Sequence, residues 1–319
     1  MIPGIFEVED RRMRYAVSSN TQAHGPEGPG SEPIWAVNIH GYFAGGGMYW
    51  RESSHIAETL GWRVVNPCLP GFAGSDPLPW DRVSMEEIAG HVLLLLDHLG
   101  ATRFVLMGHS MGGAVAVKLA EQNPERALGI IYRDGAATPA WKKRHSLFAA
   151  ALSPFAPDIA GVADLVLAVL LDIPDLFIGR RIASTLSGLW PDARRNIRAM
   201  GRTLPVGSLL MTVDMRELIS NLADELHIPI LPVWGCFDRI ANLSTANEFA
   251  DSSRSEVVWV PGGHSWMLAR PAGQGDVLRY LERGRSFMDQ LAKRRLMLLG
   301  HDAHGKRRPA GSSAMRVVR

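Results

Sequence analysis

Short, almost wholly apolar runs alternate with longer amphipathic stretches along the first 134 residues of the chain. The runs are bounded by turn-forming residues, which predicts buried strands. These strands are expected at 34–39, 62–66, 103–107 and 128–132. Helices are predicted between them, one at 48–60 and one that begins after Ser84, where Glu87 completes a capping box. Because strands alternate with helices, the pattern predicts a mostly parallel central sheet with helices on both faces.

The pattern changes after residue 134. Residues 135–227 have helical spacing interrupted by prolines and no convincing strand pattern, whereas two further strands are predicted at 230–234 and 256–260. Residues that follow strand ends face the ligand site of an open α/β sheet, so this insertion is expected to cover that site as a helical cap. The predicted domains are therefore a core of residues 1–134 and 228–284 and a cap of residues 135–227.

The two ends of the chain differ from this core. An opening strand is predicted at 6–18, before a loop rich in glycine and proline at 20–33. Residues 285–319 form the last predicted segment, in which the end of a helix is followed by a basic tail rich in glycine and serine. Such a tail buries too little apolar surface to fold, so residues 301–319 are expected to be disordered.

A serine lies in the motif G-x-S-x-G, at the boundary between a predicted strand and a predicted helix. The motif spans residues 108–112, directly after the strand at 103–107. A sharp strand-to-helix turn projects the serine hydroxyl into a cleft, and the glycines allow neighbouring backbone to approach closely. The N-terminus of the following helix stabilises negative charge at the same place. The pattern therefore predicts Ser110 as a nucleophile.

A nucleophilic serine requires a base, and the base requires a group that orients it. A histidine takes the hydroxyl proton, and a carboxylate holds the imidazole in one tautomer. Asp238 follows the predicted strand at 230–234, and His264 follows the strand at 256–260, in the order acid and then histidine. Asp134, which ends an earlier strand, is the alternative acid. The residues alone leave both carboxylates as candidates.

These motifs together resemble the serine hydrolases of the α/β-hydrolase fold. Five pieces carry the resemblance, in the expected order: His40-Gly41-Tyr42, the stretch from Pro70 to Ser75, the turn at 108–112, Gly235-Cys236-Phe237-Asp238 and Gly262-Gly263-His264. They are spread over nearly the whole chain. The resemblance implies Ser110 as nucleophile, Asp238 as orienting acid and His264 as base.

The resemblance also implies an oxyanion hole built from two backbone N–H groups. One belongs to Met111, directly after the serine, and the other to the residue that follows His40 and Gly41, which is Tyr42. Many relatives carry a proline soon after the His-Gly pair, whereas this chain continues through Phe43 into three glycines. The second donor is therefore open between Tyr42 and Phe43. Three consecutive glycines are costly to order, so this loop is expected to be mobile until substrate binds.

Composition and charge narrow the function classes. Hydrophobic residues make up 46% and charged residues 21% of the 319 residues, as in an ordinary soluble globular protein. A net charge of +2 is too small to favour nucleic-acid binding. Two cysteines do not make a disulfide framework and fit a reducing compartment. The cysteines and histidines have no metal-ligand spacing, so no metal and no other cofactor is expected.

The expected location follows from targeting and membrane signals. The N-terminal residues lack the basic start and apolar core of a signal peptide. The longest apolar stretch, 159–171, is too short to span a bilayer and contains Asp164, so no stable membrane insertion is expected. A cytoplasmic protein is predicted.

The reaction that these residues favour is hydrolysis of a small carboxylic ester with a hydrophobic acyl or alcohol group, through an acyl-enzyme on Ser110. The expected hydrophobic preference rests on the aliphatic, aromatic and methionine residues of the insertion. These residues are suited either to lining an apolar pocket or to forming the cap's own core. A thioesterase, a lactonase, an amidase or a C–C bond hydrolase would use the same residues. A non-hydrolytic acyl-binding or acyl-transfer protein would keep them and exclude water. The natural substrate and the oligomeric state stay open at this point.

Overall fold

An eight-stranded, mostly parallel sheet forms the centre of the molecule. The computed structural model describes residues 1–20, 31–143, 182–269 and 285–300. The strands, in chain order, are β1 (Ile2–Val8), β2 (Arg11–Val17), β3 (Trp35–Ile39), β4 (Arg63–Pro67), β5 (Phe104–His109), β6 (Ala127–Arg133), β7 (Ile230–Gly235) and β8 (Val258–Val260). Their spatial order is β1-β2-β4-β3-β5-β6-β7-β8. β2 pairs antiparallel with β1 and β4, and all other neighbours pair in parallel, so the predicted sheet is confirmed.

Helices cover both faces of this sheet. They are α1 (Trp50–Leu60), α2 (Met85–His98), α3 (Met111–Gln122), α4 (Ile182–Arg198), α5 (Met200–Thr212), α6 (Arg216–Asp224), α7 (Leu243–Ser253), α8 (Trp266–Ala269) and α9 (Arg285–Leu298). Successive residues of a strand point to opposite faces, so Trp35 and Val37 lie in one apolar cluster and Ala36 lies in the other. The first cluster includes residues of α2, α3, α6 and α7, and the second includes residues of α1, α8 and α9.

The opening segment forms two strands, where one strand was predicted over 6–18. β1 and β2 form a hairpin in which Val8 pairs with Arg11. Glu9 and Asp10 make the turn with φ of 47° and 60°, the left-handed conformation that a two-residue hairpin turn requires. The prediction of a single strand was wrong because this turn contains neither the glycine nor the proline that usually marks one.

The predicted helix after Ser84 begins at Met85, as α2. The Ser84 hydroxyl accepts a hydrogen bond from the backbone N–H of Glu87 over 3.1 Å and so caps the helix. The Glu87 carboxylate pairs with Arg82 over 3.0 Å instead of completing the capping box. The helix predicted at 48–60 begins slightly later, as α1, because a short 3-10 helix precedes it.

The insertion predicted as a cap over 135–227 is described near its two ends. α4 packs against the short 3-10 helix at Gly46–Tyr49. α6 instead packs against α3 and α7 and buries Ile219 and Leu222 in the first apolar cluster. The last helix of the predicted insertion therefore flanks the sheet. Trp141 is buried in the same cluster, whereas Trp190 on α4 is largely exposed.

Three predicted segments fall mostly or wholly outside the described residues. They are the loop at 20–33, the middle of the cap at 144–181 and the tail at 301–319. Within the described ranges, the helices are too short or too polar to cross a bilayer. Both cysteines are unbridged: Cys68 is buried and Cys236 is exposed.

Candidate active site

Ser110 lies in the turn that joins β5 to α3. Its backbone has φ 52° and ψ −119°, a conformation that residues other than glycine seldom adopt. The turn is crowded, because a Cβ on Gly108 would lie 2.4 Å from the Cα of Gly113. A Cβ on Gly112 would lie 2.3 Å from the carbonyl oxygen of Ile39. The surrounding backbone thus holds the serine in a strained position at the N-terminus of α3.

His264 and Asp238 meet at the carboxyl edge of the sheet, just after β8 and β7. The Nδ1 atom of His264 lies 2.9 Å from Oδ2 of Asp238. The other carboxylate oxygen accepts hydrogen bonds from the backbone N–H groups of Ile240 and Ala241, each over 2.8 Å. These two donors hold the carboxylate in place, and the carboxylate orients the buried imidazole. With Nδ1 protonated, Nε2 carries the lone pair that a base needs.

His109 joins the His264 loop to the serine turn. Its Nε2 atom lies 2.9 Å from the carbonyl oxygen of His264, and the two rings are 4.8 Å apart between centroids. The hydroxyl of Tyr49 lies 2.6 Å from the other ring nitrogen, Nδ1. Burial lowers the pKa of His109 well below its usual value, so the ring is neutral. Its Nε2–H group therefore donates to His264, and its Nδ1 accepts from Tyr49.

Asp134, the alternative acid, lies next to this pair at the end of β6. One carboxyl oxygen accepts a hydrogen bond from the backbone N–H of Gly235 over 2.7 Å, and the other accepts from the indole N–H of Trp266. Burial raises the pKa of Asp134 well above its usual value, and the neighbouring Asp238 carboxylate raises it further. The structure thus places Asp238 against Nδ1 of His264, and it places Asp134 beside Asp238 with both oxygens bonded to Gly235 and Trp266.

Asp134, Asp238 and His264 also have the spacing of a metal site. Their carboxylate and imidazole atoms lie within 4.8 Å of one another, and in the described part of the chain this is the one cluster of its kind. The Nδ1 atom that would bind an ion already faces Asp238. The cluster therefore fits an oriented base better than a metal centre.

The loop after β3, residues 40–47, packs directly on the serine turn. A Cβ on Gly41 would lie 3.2 Å from the Cβ of Ser110. The N–H group of Ala44 donates to the Gly41 carbonyl over 3.2 Å and closes a turn in which Phe43 has φ 62°. The backbone N–H groups of this turn therefore lie close to the serine. The geometry is compatible with either Tyr42 or Phe43 as the second oxyanion donor.

The first predicted donor, Met111, begins α3, where N–H groups have no acceptor within the helix.

His40 supports the loop after β3. Its Nδ1–H group donates to the Gly41 carbonyl over 2.8 Å, and its Nε2 accepts from the N–H of Leu69 over 2.9 Å. Burial lowers the pKa of His40 to about 4, so this ring is neutral as well.

Three side chains that shape the site were not found by sequence reasoning. Tyr49 binds His109, Trp266 binds Asp134, and Asn196 donates to the Phe43 and Ala44 carbonyls. None of the three lies in a motif, and each acts on residues far away in the sequence. Only for Trp266 was there a weak signal, its position two residues after His264.

Comparison with known proteins identifies the fold. A family model described as the alpha/beta hydrolase fold matches residues 37–166. The structure of a thermophilic esterase from Thermogutta terrifontis is similar with a TM-score of 0.62 and 21% identity, over 89% of this chain and 99% of that one. The chain is an α/β-hydrolase-fold protein. The resemblance predicted from its motifs is confirmed at the level of the fold.

Two curated relatives are similar to this chain in sequence. The AB hydrolase superfamily protein YisY of Bacillus subtilis is 24% identical over 72% of this chain and 84% of its own length. Lipase LipV of Mycobacterium tuberculosis is 28% identical over 38% of this chain and 42% of its own length. Another curated relative is matched over 26% of its own length. This chain therefore spans less than half the length of that relative and of the lipase.

Proposed function

We propose that the protein is a serine hydrolase that cleaves a carboxylic ester with a hydrophobic acyl or alcohol group. The observation that carries this proposal is the 2.9 Å contact between His264 Nδ1 and Asp238, in a loop that His109 bonds to the strained turn of Ser110. An oriented imidazole next to a serine is the arrangement that activates a hydroxyl for attack.

In the proposed reaction, the Ser110 oxygen attacks the ester carbonyl while Nε2 of His264 accepts the hydroxyl proton. Asp238 stabilises the imidazolium that forms. The N–H groups of Met111 and Tyr42 stabilise the tetrahedral oxyanion, and the N-terminus of α3 adds to this stabilisation. The imidazolium then protonates the leaving alcohol, and an acyl group stays on Ser110. A water molecule that gives a proton to His264 attacks this acyl-enzyme, and the acid leaves with the serine restored.

Two observations support an ester substrate with a hydrophobic group. One relative is named a lipase and one similar structure is that of an esterase. The apolar composition of the predicted cap supports a hydrophobic group on the substrate. Thioesters, lactones, amides and activated C–C bonds would be attacked by the same residues.

The test is a set of initial rates on p-nitrophenyl esters with acyl chains from short to long. We expect turnover with an optimum at medium or long chains, and a loss of about 10⁴-fold or more in Ser110→Ala, since the nucleophile acts together with its base. The matched control is Ser286→Ala on α9, at an exposed serine, which should keep the wild-type rate. Normal turnover by Ser110→Ala would show that the serine turn is not the site.

Labelling with a fluorophosphonate separates the alternatives. Ser110 should be labelled in wild type and in Ser286→Ala. Labelling without ester turnover would favour a thioester, lactone or C–C bond substrate, or the acyl-transfer function. Absence of labelling together with absence of turnover would refute the serine hydrolase proposal as a whole.

A further inference from the structure

The side chain of Asn196 on α4 contacts two loops next to the serine turn. It is buried, with 1% exposure. Its Nδ2 group donates to the carbonyl oxygens of Phe43 and Ala44 over 2.6 Å and 2.9 Å. Its Oδ1 atom accepts the N–H of Ala73 over 2.6 Å. The amide therefore uses both of its N–H groups and its oxygen on backbone groups that would otherwise lack these partners.

The turn that Asn196 holds has an unfavourable backbone conformation. Phe43 has φ 62°, in the left-handed region that a bulky side chain seldom occupies. Such a conformation persists where the surroundings determine it from several sides. Asn196 bonds the carbonyl groups of Phe43 and Ala44, which belong to the two peptide units directly after the strained φ angle. It therefore fixes the orientation of the turn in which the second oxyanion donor lies.

Two further contacts from the same insertion reach this loop. The hydroxyl of Tyr42 donates to the carbonyl oxygen of Thr203 on α5 over 3.0 Å. The Asp192 carboxylate on α4 lies so close that a Cβ on Gly45 or on Gly47 would be 2.6 Å from its Oδ2 atom. The glycines from which a mobile loop was predicted therefore have a second reason to be glycine: they leave room for α4.

We infer that Asn196 is a positioning residue for the oxyanion hole, so that a helix of the predicted cap orients the backbone N–H offered by the turn at 41–44. This inference rests on the proposed function, because an oxyanion hole matters only if Ser110 attacks a carbonyl. It adds to that function a part for α4 in stabilising the transition state. Asn196 acts through the Phe43 and Ala44 carbonyls and does not itself bind the oxyanion.

The test is the substitution Asn196→Asp. Aspartate keeps the size of the side chain and the oxygen that accepts the Ala73 N–H, but it has no N–H groups for Phe43 and Ala44. Both bonds to the turn are lost while the third is kept.

The matched control is Asn242→Asp at the start of α7. Asn242 caps that helix with Oδ1, which accepts the N–H of Thr245 over 3.3 Å. Aspartate is an equally good N-cap. Both variants exchange an amide for a carboxyl, in a buried position at Asn196 and in a half-buried one at Asn242. Only Asn196→Asp alters the turn beside the serine.

We expect kcat of Asn196→Asp on the best ester to fall about 10- to 100-fold with KM little changed, because a displacement of about 1 Å near the reacting atoms has an effect of this size. Affinity for a trifluoromethyl ketone, which forms a tetrahedral adduct with the serine, should fall by a similar factor. Asn242→Asp should match wild type in both measurements. A loss of kcat and of trifluoromethyl ketone affinity, with KM unchanged, distinguishes positioning of the oxyanion hole from a general loss of folding.

Hydrogen–deuterium exchange of residues 41–47 gives a readout that does not need turnover. Exchange there should be faster in Asn196→Asp than in wild type and in Asn242→Asp, while exchange of β5 stays unchanged. If Asn196→Asp fails to fold, the variant Asn196→Ser removes the same two amide bonds to the turn without placing a charge in the buried site. It should then accelerate exchange of the same segment.

The outcomes separate this inference from the proposed function. Wild-type kcat and wild-type exchange in Asn196→Asp would overturn the inference and leave Ser110 as nucleophile. Faster exchange over the whole chain, with no difference between kcat and KM effects, would show a general structural role and would also overturn it. If wild type has no turnover that depends on Ser110, the proposed function fails. The exchange of residues 41–47 then still decides whether Asn196 holds the turn.

Discussion

His109 donates a hydrogen bond from Nε2 to the backbone carbonyl of His264 over 2.9 Å. The residue before the candidate nucleophile thus holds the backbone of the candidate base. Tyr49 extends this connection, since its hydroxyl lies 2.6 Å from His109 Nδ1 and accepts the N–H of Gly41 over 3.4 Å. One neutral imidazole therefore connects the serine turn, the histidine loop and the loop after β3.

The substitution His109→Phe keeps a planar ring and removes both of its hydrogen bonds. We expect the free energy of unfolding to fall by about 1–3 kcal/mol, because the Tyr49 hydroxyl and the His264 carbonyl lose buried partners. We also expect a lower kcat, since the His264 loop loses an anchor. Urea unfolding and ester turnover measure the two effects. Tyr49→Phe removes the bonds of the hydroxyl to His109 and Gly41 but keeps the bond between His109 and His264. Its kcat should therefore fall less than that of His109→Phe; equal losses of kcat would show that the contact with His264 is unimportant.

Two carboxyl groups, those of Asp238 and Asp134, lie beside His264, and substituting them should have sharply different effects on kcat. Asp238→Asn should lower kcat by about 10⁴-fold, because the amide favours the wrong tautomer of the imidazole. Asp134→Asn should lower kcat far less, because Asp134 bonds the backbone N–H of Gly235 and the indole N–H of Trp266, whereas Asp238 lies against Nδ1 of His264. The amide of Asp134→Asn keeps one oxygen acceptor and loses the other, so the variant should also be somewhat less stable. Should Asp134→Asn prove the damaging change in a turnover assay, the acid is Asp134.

Because His40 is neutral in the folded protein, we expect acid to destabilise the fold. Burial lowers the pKa of this ring to about 4 in the folded protein, while the unfolded chain titrates near pH 6.5. The unfolded state binds more protons between these two values, so the free energy of unfolding falls as pH drops from 6.5 to 4. At pH 5, this difference in proton binding at His40 lowers the free energy of unfolding by roughly 2 kcal/mol relative to neutral pH.

The measurement for His40 is urea unfolding of wild type and His40→Gln at pH 7.5 and pH 5. The variant is expected to be less stable at pH 7.5, because His40 bonds both Gly41 and Leu69. It should lose less stability between the two pH values than wild type does. An identical pH dependence in both proteins would contradict the neutral, buried state of the ring.

Two glycines with opposite surroundings give a matched pair. A Cβ on Gly45 would lie 2.4 Å from the Cβ of Ala73 and 2.6 Å from Asp192, so Gly45→Ala should displace α4 and reduce both stability and kcat. Gly90 in the middle of α2 has open space around it, so Gly90→Ala should raise the free energy of unfolding by about 0.5–1 kcal/mol. Thermal unfolding checks both signs, and a stabilised Gly45→Ala would show that α4 does not press on this loop.

The sequence by itself determined the sheet, the helices that cover it and the positions of the chemical groups along the chain. Apolar periodicity and turn residues act locally, so the parallel strands were predicted to within a few residues. The motif at 108–112 located Ser110 between β5 and α3 for the same reason. His264 and Asp238 were found because each follows a strand, and the carboxyl ends of parallel strands meet at one edge. The turn at Glu9 and Asp10 was missed because it contains neither glycine nor proline.

Only the tertiary structure decided which acid faces His264. Asp134 and Asp238 follow adjacent parallel strands, so the sequence does not distinguish them. In the structure, Gly235 and Trp266 donate to Asp134. Asp238 lies against the imidazole of His264. Asn196 is a clearer case, since it bonds a carbonyl 153 positions away in the chain. A side-chain amide carries no periodicity or motif. Its partners are set by the packing of α4 on the loop after β3, which is a property of the folded chain.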